Sequence, residues 1–302
     1  MAHGIAGAID PADQTAIVNT ADDFEWHGLH ISPDIDTVLY TLAGIADPAQ
    51  GWGIAGDTKV ALDAMTRLGE DPWFLVGDQD FATHLIRTSR RRLGVPLSQI
   101  TADFSRSLSI ASRVLPVTDD PVATFIETPD GTFAFQDYFV RRKQQDDVLS
   151  IRFGGIDTAV PTPGVLDAIA QADIIVIAPS NPFVSIGPIL AVPGVRDAIV
   201  RARGAKVAVS PIIGGKALKG PADRMMRTLG HESSALGISR IYDGVIDGIV
   251  IDNVDLDLLP AIRDLGMESM ALDSIMGDAR DRARFAGQVI GFATSLVRPV
   301  SK

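Results

Sequence analysis

Short apolar runs and longer amphipathic stretches alternate along almost the whole chain. The short runs are rich in β-branched residues and have hardly any polar positions, which is typical of strands buried on both faces. The strand candidates of this kind are residues 15–18, 73–76, 174–178, 206–210, 248–251 and 268–272.

The stretches between these strands place apolar residues at helical spacing. The helix candidates are residues 37–42, 59–68, 81–93, 164–171, 196–202, 223–229 and 278–296. Buried strands that alternate with amphipathic helices predict a parallel sheet covered on both sides. We therefore predict an α/β fold with a Rossmann-like, doubly wound and mostly parallel sheet, whose ligands bind beyond the carboxyl ends of the strands.

One section departs from this alternation. Residues 113–117, 123–128, 132–138 and 148–153 all have strand-like patterns, and a Pro-Asp-Gly sequence fits a tight turn between two of them. We predict an antiparallel α/β insertion over residues 96–155. The Rossmann-like core is then formed by residues 1–95 and 156–302.

Composition and charge narrow the classes of function. The chain has 302 residues, a formal net charge of −11 and no cysteine. The acidic balance argues against a nucleic-acid partner, and the missing cysteines exclude disulfides and thiolate metal sites. Because no apolar run reaches the roughly 20 residues of a membrane span and no signal peptide is evident, we expect no membrane association and a cytoplasmic location.

Acidic residues are concentrated after the first strand candidate. Asp22 and Asp23 follow residues 15–18, and Asp34 and Asp36 lie in the first turn of a helix that starts with Ser-Pro. Carboxylates gathered at one sheet edge repel one another unless a cation or a donor-rich ligand lies between them. A solvated acidic turn with helix capping explains some of these acids equally well, so both interpretations stay open at this point.

Two more polar segments follow central strand candidates. Ser180 and Asn181 offer hydroxyl, amide and backbone donors that suit phosphate, although a Pro-rich strand-to-helix turn explains the same pattern better on spacing alone. Ser210 begins a segment in which Gly214 and Gly215 permit close backbone approach. This segment does not fit the phosphate loop G-x-x-x-x-G-K-[ST].

A further acidic pair follows residues 73–76. Asp78 and Asp80 are expected to cap the next helix, and His84 within that helix is interpreted as a packed or surface histidine. The arginine runs of the chain are interpreted as solvated faces.

Taken together, these segments resemble the 2-phospho-L-lactate transferase family of coenzyme F420 biosynthesis. The resemblance extends from Met1 to the last helix. It is carried by VNTADD at 18–23, SPDIDTVLYTLAG at 32–44, GDQD at 77–80, FVRR at 139–142, APSNPFVSIGPIL at 178–190, SPIIGG at 210–215 and KGPA at 219–222.

The resemblance implies a Rossmann-like and usually dimeric enzyme that requires Mg²⁺. In this family the ribityl hydroxyl of the deazaflavin Fo attacks the phosphorus of a GDP-activated three-carbon acid, and GMP leaves. The acid is 2-phospho-L-lactate in some members and phosphoenolpyruvate or phosphoglycerate in others. The expected partners are therefore Fo and the GDP-activated acid, and the expected assembly is a homodimer.

The resemblance also implies roles for individual residues. Asp22 and Asp23 match the family's acidic pair beside the diphosphate, and Asp36 matches its Fo-contacting aspartate. Our hypothesis is that these three residues provide catalysis and Mg²⁺ ligation. The resemblance assigns substrate contacts to Asp34, Asp36, Gln79, Ser180, Asn181, Ser210, Gly214 and Gly215. Gln79 stands where many archaeal members have a lysine that contacts Fo, so a positive charge is missing there.

Two alternatives accompany the transferase hypothesis. Family members usually begin with a strand and a Gly-rich loop, whereas this sequence begins in the helix that follows; we expect a misplaced start site. Loss of that loop would also fit a non-catalytic regulator that binds a nucleotide or nucleotide sugar. A nicotinamide dehydrogenase is disfavoured because no G-x-G-x-x-G motif follows a first strand.

Overall fold

The computed structural model describes residues 1–297 as alternating strands and helices. The strands are β1 Thr15–Val18, β2 Phe24–Trp26, β3 Leu29–Ile31, β4 Arg113–Pro116, β5 Ala123–Thr128, β6 Gly131–Ala134, β7 Ser150–Gly154, β8 Ile174–Ile177, β9 Ala205–Val209, β10 Ile212–Ile213, β11 Lys216–Ala217, β12 Gly248–Asp252 and β13 Glu268–Leu272.

The α-helices are distributed along the whole described chain. They are α1 Ala2–Ala6, α2 Pro33–Leu42, α3 Val60–Arg67, α4 Asp78–Arg92, α5 Leu97–Ser107, α6 Val165–Gln171, α7 Ile186–Ala191, α8 Val195–Arg201, α9 Ala222–Thr228, α10 Ala235–Ile241, α11 Leu259–Arg263 and α12 Ala279–Leu296. Short 3₁₀ helices occupy Pro11–Asp13, Ile156–Thr158 and Asn253–Leu258, and a π-helix occupies Asp137–Arg141.

The parallel strands form two groups. In one group the order is β13-β12-β9-β8, and in the other β1 pairs with β4. Alternate residues of the central strands point to opposite sides, and both sides are buried: Ile249 packs into one apolar cluster, while Val250 packs into another against α12. This two-sided burial explains the continuous apolar runs and confirms the predicted α/β class with parallel strands.

The antiparallel sheet is smaller than the predicted insertion. Its order is β6-β5-β7, so it spans residues 123–154. Strand β4 instead pairs with β1 in parallel, with Ile17 opposite Leu115, and α5 packs beside β4. The segment from residue 96 to β4 therefore extends the parallel part of the molecule rather than the insertion.

Residues 73–76, predicted as a strand, are an irregular segment before α4. Phe74 packs edge-on against Phe24 of β2, with ring centroids 4.8 Å apart, and Val76 is buried. Aromatic packing against the β2–β3 hairpin thus accounts for an apolar run that alone suggests a strand. That hairpin escaped prediction because its turn is His27-Gly28, both with positive φ, and its strands are very short.

Within residues 1–297, no helix is both long enough and apolar enough to cross a membrane. The carboxyl ends of β1, β8 and β9 lead into loops that surround a single large cavity, described next.

Candidate functional site

A cavity of about 920 Å³ opens at the carboxyl ends of the parallel strands. It brings together most of the side chains that the sequence singles out, although they come from distant parts of the chain. The predicted site residues that line it are Asp22, Asp34, Asp36, Ser180, Asn181 and Ser210. Aromatic residues also line the cavity, among them Trp52, Phe74, Phe135 and Phe139.

Four predicted site residues lie outside the lining of this cavity. Asp23 is directly behind Asp22, and Gln79 is exposed in the first turn of α4. Gly214 and Gly215, both with positive φ, make the two-residue turn between β10 and β11. The backbone N–H of Gly214 donates to the carboxylate of Asp255, so in this structure it serves the turn.

A first acidic cluster consists of Asp22, Asp23 and Asp34. Asp22 is only 5% exposed, and its Oδ1 has no hydrogen-bond partner among the described residues. Burial, followed by repulsion from Asp34, raises the pKa of Asp22 well above its usual range. Burial also raises the pKa of Asp34 to about 6, although Asn19 donates to its Oδ2 over 2.9 Å. This cluster holds more negative charge than its surroundings neutralise.

Only one carboxylate oxygen of Asp23 contacts polar side chains. Its Oδ2 accepts a hydrogen bond from Ser32 Oγ at 2.7 Å and lies 3.1 Å from His30 Nε2. Its Oδ1 is buried and has no partner among residues 1–297. Ser32 thus stands at the start of α2 as predicted, but its hydroxyl orients Asp23 instead of capping the helix.

The antiparallel sheet also reaches the first acidic cluster. Gln136 Nε2 donates to the carbonyl of Asp22, and the backbone N–H of Thr124 donates to the carbonyl of Ala21 over 2.7 Å. The hydroxyl of Thr124 lies near Asp22 and partly opposes the rise of its pKa. The insertion therefore fixes the loop that carries the two adjacent aspartates.

A second cluster contains Asp36, Asp80, Tyr40, His84 and Arg87, all from α2 and α4. Arg87 is 1% exposed and forms a two-pronged ion pair with both carboxylate oxygens of Asp36. Tyr40 donates to Asp80 Oδ1 over 2.6 Å. His84 Nε2 lies 3.3 Å from Asp80 Oδ2, and its Nδ1 lies 3.2 Å from Arg87 Nη1.

The pKa shifts reflect this internal pairing. Burial raises the pKa of Asp36, and the Arg87 guanidinium opposes the rise. Burial acts in the same direction on Asp80, but its contacts with His84 and Tyr40 outweigh it and lower the pKa of Asp80. Unlike the first cluster, the second one contains its own counter-charge.

Helix α4 is anchored by an exchange of capping groups with α3. The carboxylate of Asp57, just before α3, accepts from the backbone N–H groups of Gln79 and Asp80 at the start of α4. Asp78 in turn accepts from Val60 N and Ala61 N at the start of α3, each at 2.9 Å. The prediction that Asp78 and Asp80 cap α4 is therefore wrong, because Asp57 caps this helix while Asp78 caps α3.

The two polar loops that line the cavity with the acids are shaped by their own hydrogen bonds. Asn181 Oδ1 accepts from Phe183 N at 2.9 Å, and Ser210 Oγ exchanges hydrogen bonds with the backbone of Ile212. Ser180 also lines the cavity. Both loops thus present small polar groups from fixed backbone, the kind of surface that accommodates a nucleotide phosphate.

The cavity mouth lies between two surface loops. Trp52 lines it and is 43% exposed, and Lys219 lines it from the loop after β11. Lys219 Nζ lies 3.0 Å from the position that a Cβ at Gly51 would occupy, so the two loops meet there. Among residues 1–297, Lys219 contributes the only lysine or arginine side chain to the lining.

Sequence reasoning gave His84 little weight and overlooked Arg87. The signal is present in the spacing, because Asp80, His84 and Arg87 stand four and three residues apart and so share one face of α4. The sequence does not show whether this face of α4 is buried. The structure shows that it is, because Arg87 is buried and pairs with Asp36 on α2.

Comparisons with known proteins identify the family of this chain. The family model of 2-phospho-L-lactate transferase CofD matches residues 1–283. A phosphoenolpyruvate transferase of Kitasatospora aureofaciens is 41% identical, with 96% of this chain and 93% of the relative covered. A 2-phospho-L-lactate transferase of Methanosarcina barkeri is 34% identical, with 98% and 95% covered.

Solved structures support the fold. The crystal structure of a UPF0052 family protein from Bacillus halodurans aligns with a TM-score of 0.62 at 17% identity, and the alignment covers 95% of this chain and 96% of that one. At that identity the likeness concerns the fold alone. With the family match over most of the chain, it leads to one conclusion: the chain is a member of the 2-phospho-L-lactate transferase CofD family.

Proposed function

We propose that this chain transfers a phosphorylated three-carbon acid from its GDP-activated form to the ribityl hydroxyl of the deazaflavin Fo, with release of GMP. The product is a phosphodiester on the path to coenzyme F420. The observation that carries the proposal is the meeting of the acidic clusters, the Ser180 and Ser210 loops and several aromatic residues around one cavity. Aromatic side chains suit a flat ring system, and the polar loops suit phosphates.

The bond changes are those of a phosphoryl-type transfer. The hydroxyl oxygen of Fo forms a bond to the phosphorus that bears the acid, the bond from that phosphorus to GMP breaks, and the hydroxyl loses its proton. Such a step needs little covalent work by the protein, because positioning and neutralisation of charge provide most of the acceleration. The cavity side chains would hold the two substrates in line.

The first acidic cluster fits the Mg²⁺ that the family resemblance implies. Asp22 Oδ1 and Asp23 Oδ1 are buried oxygens without hydrogen-bond partners among the described residues, and Thr20 Oγ1 on the same loop is a third. Hard oxygen donors of this kind are what Mg²⁺ prefers. When bound, the ion would neutralise charge on the diphosphate; we assign its ligation to Asp22 and Asp23.

The pairing of Asp36 with Arg87 supports a different role for that residue. Because both oxygens of Asp36 already face a guanidinium, a divalent cation there would meet a fixed positive charge. We therefore propose that Asp36 contacts Fo rather than the metal. Asp34 and Asn181, which line the same cavity, would contact the substrates between the two clusters.

The relatives guide the choice of acid. Those named phosphoenolpyruvate transferase are 37–41% identical to this chain, and those named 2-phospho-L-lactate transferase are 34–37% identical. We therefore propose phosphoenolpyruvate as the first acid to test. The comparisons do not favour the alternative of a non-catalytic nucleotide-binding regulator.

The test is a mass-spectrometric assay of the purified protein with Fo, Mg²⁺ and each GDP-activated acid in turn. Formation of GMP and the Fo phosphodiester with one acid is the expected result. GMP without the phosphodiester would mean hydrolysis. If no acid gives either product, the transferase proposal is overturned.

Asp22→Asn is expected to lower turnover by about 100-fold or more, since it removes a charge beside the diphosphate.

We further propose, from the family resemblance, a cytoplasmic homodimer. Light scattering coupled to size-exclusion chromatography should give twice the chain mass of 32.1 kDa. A monomeric mass at micromolar concentration would contradict it.

A further inference from the structure

Helix α4 is amphipathic in the opposite sense to an ordinary surface helix. Its buried side chains are all polar, and two of them, His84 and Arg87, belong to the second acidic cluster. Its outward side exposes Leu85 by 62%, Ile86 by 47% and Leu93 by 79%. An apolar helix face that the single chain leaves in water indicates a surface that another molecule covers.

The exposed residues of α4 form one continuous stripe. Ala82, Leu85, Ile86, Ser89 and Leu93 are all exposed and follow one another at intervals of three, one, three and four residues. Because an α-helix has about 3.6 residues per turn, positions at these intervals lie along one side of it. Ala82 and Ser89 are small and stand seven residues apart, so they leave room for a second helix to approach closely.

This stripe is complementary to itself when it is reversed. If a second copy of α4 runs antiparallel, with a two-fold axis midway between positions 85 and 86, Ala82 lies opposite the partner's Ser89. In the same register Leu85 lies opposite the partner's Ile86. Small residues then face small ones and large apolar residues face each other. Each pairing occurs twice, as a two-fold interface requires.

The charges at the two ends of α4 also favour the antiparallel arrangement. The first turn carries Asp78 and binds the carboxylate of Asp57, whereas the last turn carries three consecutive arginines at 90–92. Arg92 is exposed and would lie opposite the partner's Gln79, next to the partner's Asp78. The two helix dipoles would also oppose each other. Parallel packing would instead bring like charges together, so the charges select the antiparallel pair.

We propose that α4 packs antiparallel against α4 of a second copy of this chain, with the two-fold axis between Leu85 and Ile86. The proposal goes beyond the homodimer inferred above, because it assigns the contact surface and its register, and it does not depend on the transferase reaction. Since the inner side of α4 carries His84 and Arg87, the interface would support the helix that holds the second cluster.

A charged substitution in the stripe tests the surface. Leu85→Glu places a carboxylate against the partner's Ile86, and it does so twice in each dimer. We expect it to raise the dissociation constant of the dimer about 100-fold or more, as for an unpaired charge at the centre of an interface. Sedimentation equilibrium measures this constant. Val200→Glu on α8 is the matched control, since Val200 is 45% exposed, and it should leave the constant unchanged.

A second substitution tests which residues face each other. Adding Ile86→Lys to Leu85→Glu should lower the dissociation constant again by about tenfold or more, because each new carboxylate then lies opposite an ammonium of the partner. Adjacent positions do not face each other on one helix, so pairing within a chain does not explain such a recovery. Ile86→Glu in place of Ile86→Lys should give no recovery.

The register can also be measured by disulfide formation, because the chain has no cysteine of its own. With a mild oxidant added, the double variant Ala82→Cys/Ser89→Cys should give a disulfide-linked dimer. Either single variant should not, since two copies of the same position would lie about 10 Å apart along the helix axis. A disulfide needs Cα atoms within about 7 Å of each other.

The outcomes separate this inference from the earlier proposals. A wild-type chain that is monomeric at micromolar concentration would overturn both the homodimer and this interface. A dimer that Leu85→Glu leaves intact, or that the double cysteine variant does not link, would overturn the interface alone. If Leu85→Glu loses helical circular dichroism, the disulfide result decides. Failure of the transferase assay would leave the interface unaffected.

Discussion

The two acidic clusters show how the same residue type acquires different properties from its neighbours. Asp36 is buried beside Arg87, whereas Asp22 is buried beside Asp34 without a cation. The ion pair with Arg87 offsets part of the desolvation of Asp36, whereas repulsion from Asp34 adds to the desolvation of Asp22. The cluster around Asp22 is therefore a source of instability that a bound cation would remove.

This difference predicts how stability depends on pH. The pKa of Asp34 is about 6 in the folded chain, above the unfolded value of about 3.9. The folded chain thus binds more protons than the unfolded one between these values, and stability falls as the pH rises from about 4 to 6, by roughly 1–3 kcal/mol. Thermal unfolding without divalent cations, measured across this window, should show the fall.

Asp34→Asn is the matched variant for this measurement, because the amide cannot ionise. It should reduce the slope between pH 4 and about 6, and the remaining slope comes from Asp22 and Asp36, whose pKa values are also raised by burial. Addition of Mg²⁺ should raise the Tm of the wild type more at pH 7.5 than at pH 5.5, since protons compete with the ion. An unchanged slope in Asp34→Asn would contradict our account of the cluster.

At the scale of elements, the exchange of caps between α3 and α4 positions the second cluster. Asp80, His84 and Arg87 all lie on α4, whose first turn is held by Asp57. Gly77 is required next to this contact, because a Cβ there would collide with the Asp57 carboxylate. Asp57, which does not itself line the cavity, therefore sets the position of residues that do.

We expect Asp57→Ala to lower the free energy of unfolding by about 1 kcal/mol, the usual contribution of an N-terminal cap. Gly77→Ala should produce a similar loss by displacing the same carboxylate. Urea denaturation measures both, and Asp57→Asn is the control that keeps an oxygen acceptor. A loss in Asp57→Asn as large as in Asp57→Ala would show that charge, rather than capping, is responsible.

The elements also show how far the sequence alone leads. The apolar run 248–251 predicts a strand correctly, because a short β-branched run is typical of a strand buried on both faces. The Ser-Pro sequence at 32–33 correctly predicts the start of α2. The segment 73–76 misleads because its aromatic residues pack on a hairpin instead of a sheet. Arg87 could not be placed from the sequence, since its partner Asp36 lies 51 positions away.

At the scale of the whole molecule, the cavity is built from both parallel groups of strands and from the insertion. Asn19, after β1, donates to the carbonyl of Val184, after β8, and Gln136 of the insertion donates to the carbonyl of Asp22. At the mouth, the loops of Gly51 and Lys219 meet. A ligand in the cavity would touch all of these parts at once.

Trp52 should report such contact. It lines the cavity while 43% exposed, so a bound ring system would shield it from water. We expect Fo, or the GDP-activated acid, to shift its emission to shorter wavelength. In Trp52→Phe the shift should disappear, because the other tryptophans, Trp26 and Trp73, do not line the cavity. A shift that persists in this variant would place the bound ligand elsewhere.

The exchanged caps have a consequence for how the molecule opens. Asp78 at the start of α4 caps α3, and Asp57 just before α3 caps α4. If the first turn of either helix unfolds, the other helix therefore loses its cap. Backbone amides at the two starts should therefore exchange with deuterium as one cooperative unit, with a shared opening free energy. The helix that carries Asp80, His84 and Arg87 would then lose its order in a single step, and the second cluster would be either fully assembled or absent.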